Sequence, residues 1–237
     1  MALLFALGSI VSVGQTTLTV AAASDLTLLE PLLQQQFEKT NPIRLRFVTG
    51  ASAALAQQIE NGAPYDVFLS ANAQFVERLA SNGKIAPSTV QSYAVGQLGL
   101  LWRDKKQHDF NNLKENWVRF VALPNPKLAP YGVAAQQALE HAGIWKVVQP
   151  KVVYGENVRQ ALQLLESGNA DAVLTSDSLL RDEPATVIPA EWHAPILQKG
   201  GIVAASAHRE GAQEFLNFLL SPAAQSIFAK FGFAPPL

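Results

Sequence analysis

The sequence predicts an α/β protein of two lobes, with a ligand cleft between lobes joined by two extended crossovers. Three observations lead there. Apolar runs of four to seven residues alternate with amphipathic segments of helical period along the chain. Glycines punctuate the ends of the helical segments. Two long extended stretches, "AVGQLGLLWRDK" (94–105) and "PILQKGGIVAAS" (195–206), carry no helix between the glycine-containing turn and the next strand.

In chain order, "LTVAAA", "IRLRFV", "DVFLSA", "LGLLW", "RFVAL", "KVVY", "ADAVLT" and "GIVAAS" read as strands. Phe75, Val76, Leu79 and Ala80 keep helical spacing. So do Val158, Ala161, Leu162 and Leu165, and so do Phe215, Leu216 and Leu219. Gly62, Gly83, Gly143 and Gly168 stand where helices should stop. Strand–helix alternation implies βαβ units, hence mainly parallel sheets with helices on both faces. A single continuous sheet would need no long extended connectors, so the two stretches read as crossings between lobes. This places lobe 1 at 16–96 plus 203–237 and lobe 2 at 97–202. The last helical patterns, "EGAQEFLNFLL" and "PAAQSIFAKF", are expected to pack back on lobe 1.

The 237 residues are 49% hydrophobic, enough for one large domain or two ordinary lobes. Charged residues make up 16% and the formal net charge is −1, which argues against general nucleic-acid binding. With no cysteine, there is no disulfide, thiolate metal site or cysteine nucleophile. Residues 1–24 carry no charge, and "ALLFALGSIVSV" (2–13) is an apolar run of signal-peptide length, too short to span a bilayer. Residues 1–15 therefore read as a signal-peptide remnant or N-terminal tail, and the periplasm is the expected location.

Catalytic signatures are absent. His108, His141, His193 and His208 show no metal-ligand spacing, and there is no GxSxG, GxGxxG or P-loop. Asp66 is expected to order the start of its strand, and the four tryptophans to be core or cleft-edge aromatics. Four strand-to-helix turns carry more information. They are "AAASDL" at Ser24, "VTGASAAL" at Ser52, "LAPYGVAA" at Tyr131-Gly132 and "VVYGENVRQAL" at Asn157-Val158. Helix N-termini offer unpaired N–H donors and a partial positive charge at the strand ends where open α/β sheets bind ligands. Each turn alone is an ordinary cap. Two come from each lobe, and closing the cleft would aim all four at one point. That arrangement suits a small oxyanion and needs no Arg or Lys. Asp25 is expected to turn its carboxylate outward and offer only its N–H.

"TVAAASDL", "TGASAALAQQIENGAPYDVFLSAN", "PYGVAAQQAL", "GENVRQALQLLESGNADAVLTSDS" and "SPAAQSIFAKFGF" together resemble the periplasmic molybdate-binding proteins of ABC transporters. The resemblance implies the periplasmic-binding-protein type II fold and a non-enzymatic receptor that delivers molybdate or tungstate to a membrane permease. A receptor for sulfate or phosphate is the alternative. An enzyme of the porphobilinogen-deaminase kind would need a cysteine to attach its cofactor. The resemblance further implies a monomer with no cofactor and no direct metal ligand. Its ligand residues would be Ser24, Asp25, Ser52, Tyr131 and Val158, by hydroxyl and backbone N–H. A tyrosine that many members place after the "ESGNADA" helix is Leu174 here, while Tyr131 stands where members often have alanine, which makes its phenol a candidate replacement donor.

Overall fold

The computed structural model describes residues 15–237; the expected signal segment falls almost wholly on 1–14, outside the described residues. In chain order the strands are β1 (Thr17–Ala23), β2 (Arg44–Gly50), β3 (Val67–Ser70), β4 (Gln91–Gly96), β5 (Leu98–Trp102), β6 (Val121–Pro124), β7 (Val152–Gly155), β8 (Ala172–Ser176), β9 (Thr186–Val187) and β10 (Ile196–Ile202). They form two five-stranded sheets of order β2-β1-β3-β10-β4 and β7-β6-β8-β5-β9. The helices are α1 (Glu30–Glu38), α2 (Ser52–Glu60), α3 (Ala73–Ser81), α4 (Pro130–His141), α5 (Trp145–Val148), α6 (Val158–Glu166), α7 (Arg209–Leu219) and α8 (Pro222–Lys230).

Each sheet is mixed, where the sequence pattern suggested mainly parallel pairing. β1 pairs in parallel with β2 and β3, and β6 with β7 and β8. β10 runs antiparallel to β3 and β4, and β5 to β8 and β9. The cause is the crossings themselves. β5 and β10 enter their sheets directly from the other lobe, without the helical crossover that a parallel partner requires.

The first crossing falls at Gln97, between β4 and β5. The second lies earlier than expected. β10 pairs with β3 and β4 over Ile196–Ile202, so it belongs to the first sheet, and "GIVAAS" contributes only its opening residues to a strand. Lobe 2 thus ends near residue 195 rather than at 202. The Gly200-Gly201 pair, which reads as a turn, instead answers a packing need. A Cβ at Gly200 would lie 2.7 Å from Leu69 Cδ2, and one at Gly201 would lie 2.6 Å from Ile85 Cγ2.

The core follows the strand period. Leu18, Val20 and Ala22 of β1 face a cluster with Phe37, Phe215, Leu216 and Phe228, which docks α1, α7 and α8 on one side of the first sheet. Ala21 faces the other side, with Leu55, Phe68 and Val76 under α2 and α3. The second sheet has its own core around Leu100, Leu123, Ala138, Leu162 and Leu174. Gly62, Gly83, Gly143 and Gly168 have positive φ just past α2, α3, α4 and α6, as their placement in the sequence suggested.

Candidate functional site

The four turns meet. Ser24, Asp25, Ser52, Tyr131, Asn157 and Val158 line one cavity of about 10 Å³, together with Ala23, Gly50, Ala51, Ala71, Ala129 and Pro130. Ser24, Asp25, Ser52, Tyr131 and Val158 are all buried. The cavity sits at the carboxyl ends of two parallel strands from each sheet: β1 and β2 on one side, β6 and β7 on the other. It is far smaller than the usual pocket for an organic ligand, about 300 Å³ or more. No Lys, Arg or His lines it.

Its donors come from chain geometry. Pro130 opens α4 and lacks an N–H, so Tyr131 carries that helix's first donor. Gly132 lets α4 approach β6, since a Cβ there would lie 2.1 Å from the Pro124 carbonyl oxygen. At α6, the Asn157 side chain accepts from Gln160 N–H at 3.0 Å, which leaves the Val158 N–H without an acceptor among the described residues. The Tyr131 and Ser52 N–H groups are likewise unpaired among the described residues. Ser52 Oγ accepts the Ala71 N–H at 3.2 Å, so its own proton is free for another acceptor. Ser24 Oγ has no hydrogen-bond partner among the described residues; its turn is a short 3-10 turn, Ser24–Leu26, and not the start of the helix expected there. Ala53 N–H reaches the Leu128 carbonyl at 3.3 Å, so the two sides of the cleft touch beside the cavity.

Asp25 departs from expectation. Its carboxylate is not turned out to solvent; the residue is 1% exposed. Oδ2 accepts the Tyr131 phenol at 2.9 Å and Gln198 Nε2 at 2.7 Å. Gln198 Oε1 in turn accepts the Tyr93 hydroxyl at 3.0 Å, and Ser178 Oγ donates to the Asp25 carbonyl at 2.6 Å. A first-turn acid on the surface would gain only a fraction of a kcal/mol from the helix dipole. Here three buried donors claim the residue instead, two of them, Tyr131 and Ser178, from across the lobe boundary. Asp25 Oδ1 has no partner of normal hydrogen-bond geometry, although the backbone N–H groups of Asp25 and Leu26 favour its charge. Burial dominates, and pushes the carboxyl up to about 6. Burial, reinforced by the Asp25 charge, holds the Tyr131 and Tyr93 phenols well above their usual range.

Gln198, Tyr93, Ser178 and Gly96 are missing from the sequence reading. Gln198 left a signal, being a lone amide within an apolar strand, and it sits at the β10 irregularity between Gln198 and Lys199. Leu174 pairs with Leu100 inside the second sheet and does not line the cavity. Asp66 orders its strand as expected: its carboxylate takes the Thr19 N–H at 2.7 Å and the Ser206 hydroxyl at 2.6 Å.

Because the Tyr131 phenol is committed to Asp25, Tyr131→Phe should cost about 1.5–3 kcal/mol of stability, the worth of one hydrogen bond to a charged group. Oxyanion affinity should not fall, since the helix-start N–H remains. Denaturant titration and calorimetry check this; a tenfold loss of affinity would mean that the phenol bonds the ligand.

Residues 18–234 match the family model described as bacterial extracellular solute-binding protein. The chain belongs to this family. The solute-binding protein is 33% identical to YvgL of Bacillus subtilis (strain 168), over 92% of its own length and 86% of YvgL. It is 30% identical to the molybdate-binding protein ModA of Azotobacter vinelandii, over 90% and 88% of the two chains. The solved structure of the Azotobacter vinelandii periplasmic molybdate-binding protein superposes with a TM-score of 0.86 at 30% identity, covering 93% of this chain and 100% of that one. The fold is thus that of the type II periplasmic binding proteins.

Proposed function

We propose that this solute-binding protein captures molybdate or tungstate in the periplasm, after export through its apolar N-terminus, and delivers it to the permease of an ABC transporter. One observation carries the reading: unpaired backbone N–H groups and two serine hydroxyls from four turns converge on a cavity without a cationic side chain. Such dipoles hold a tetrahedral oxyanion and still release it. Hydrogen bonds to a charged group are worth about 1.5–3 kcal/mol each, and five or six offset the cost of association at micromolar affinity or better. The molybdate-binding names of the Azotobacter relatives support the choice of anion, and the name of YvgL, which refers to ABC-transporter substrate binding, supports the partner.

A thermal-shift series of oxyanions tests it. A ligand at a hundred times its Kd stabilises the folded state by about 2.7 kcal/mol, roughly 5–10 °C for a chain of this size. Molybdate and tungstate should give this shift, and sulfate a smaller one because it reaches fewer donors at once. A larger shift with phosphate or sulfate than with molybdate would overturn the choice of anion.

A further inference from the structure

Asp25 is an acid lining an anion cavity, and nothing in the donor set explains it. The cavity offers hydroxyls and N–H groups, as an oxyanion requires, yet it also holds a carboxylate. No Lys or Arg contributes to the environment of that carboxylate. The groups facing it are the Tyr131 phenol from α4, the Gln198 amide from β10 and the Tyr93 phenol from β4, with Ser178 on its carbonyl and Glu30 of α1 feeling its charge. Both phenols stay neutral across the physiological range. Glu30, pushed up chiefly by burial, accepts from the Thr49 hydroxyl and brings no positive charge near Asp25.

We propose that the protein takes up one proton with each oxyanion, and that this proton is shared between Asp25 Oδ1 and the bound anion. Two like charges side by side in a cavity lined by buried residues disfavour each other strongly, so one of them takes up a proton near neutral pH. Oδ2 is already an acceptor for two side-chain donors, so Oδ1, buried, near the Asp25 and Leu26 N–H groups but without a hydrogen bond of normal geometry, is the position left for the proton. Once protonated, Oδ1 becomes a donor, and the acid joins the serines in holding the anion. Protons and charge balance: an empty site with a carboxylate, plus a dianion and one proton from solvent, gives a complex of unchanged proton and charge count. Burial has already moved the carboxyl of the empty site most of the way, to about 6.

The proposal rests on the oxyanion reading of the same cavity, and calorimetry separates the two. Molybdate is titrated into the protein at pH 7–9, where the free anion is fully deprotonated, in paired buffers of different ionisation heat. Binding of molybdate itself tests the functional reading; the buffer dependence of the heat tests proton uptake. The expected result is close to one proton per molybdate, with affinity falling about tenfold per pH unit above neutrality. Asp25→Asn should take up none, change affinity less than about threefold over the same range, and bind at least about tenfold more tightly than the parent at pH 8. Molybdate binding with no buffer-dependent heat and a flat pH profile in the parent would overturn the proposal while sparing the functional reading. So would an Asp25→Asn variant that folds and keeps the parent's proton uptake. Failure of every oxyanion to bind would overturn both.

Discussion

Ser24→Ala is expected to weaken molybdate binding roughly tenfold to a hundredfold and to leave stability nearly unchanged. Its hydroxyl lines the cavity and bonds no group among the described residues, so its whole contribution goes to the ligand. One hydrogen bond to a charged group, about 1.5–3 kcal/mol, converts to that loss. Ser52→Ala should show the same loss of affinity together with a loss of stability. Its oxygen accepts the buried Ala71 N–H at 3.2 Å, and an unpaired buried donor costs about 1–3 kcal/mol. The bond also fixes the direction of the Ser52 proton: with the oxygen taken from one side, the hydroxyl donates away from Ala71. Calorimetry beside denaturant unfolding separates the two serines. If both variants bind molybdate like the parent, the cavity is not the binding site.

The serine turns are legible in the sequence because their signal is local. A small polar residue at the junction of an apolar run and a helical period has few structural alternatives, and four such junctions divided between two lobes must converge if the lobes face each other. The same locality explains the correct register of α3, α6 and α7, where apolar spacing alone decides the buried face. Asp25 defeats local rules because its decisive partners are remote. Tyr131 lies 106 residues away and Gln198 lies 173 away, and no period or cap rule connects them. Local rules offer only the helix dipole, a small effect, and tertiary hydrogen bonds override it. β10 is misplaced by the sequence pattern for a related reason: Gly200 and Gly201 imitate a turn, while their real cause is the approach of Leu69 and Ile85, visible only once the sheet is assembled.

Gly96→Ala is expected to destabilise the protein by about 3 kcal/mol or more, although the substitution adds one methyl group at a strand end. Gly96 is the last residue of β4, opposite Ile196 of β10 and next to the first crossing between lobes. A Cβ there would lie 2.2 Å from the Tyr131 hydroxyl, 3.0 Å from Tyr131 Cζ and 3.0 Å from Gln198 Nε2. These atoms belong to the two side chains that hold Asp25 Oδ2. The methyl therefore does more than overfill a core, a fault that costs about 1–3 kcal/mol. It pushes the phenol away and leaves a buried acid short of a donor, the same fault that Tyr131→Phe carries, about 1.5–3 kcal/mol for one hydrogen bond to a charged group. Tyr131→Phe removes the oxygen that the methyl would strike, so the two substitutions should not add. The double variant should be more stable than the sum of the single losses predicts by at least about 1 kcal/mol, a coupling within the range of residues in direct contact. Urea unfolding of the four proteins measures it. Simple additivity would mean that the alanine acts through the strand pairing with β10, and that the contact between Gly96 and the phenol contributes nothing to keeping the Asp25 network in place.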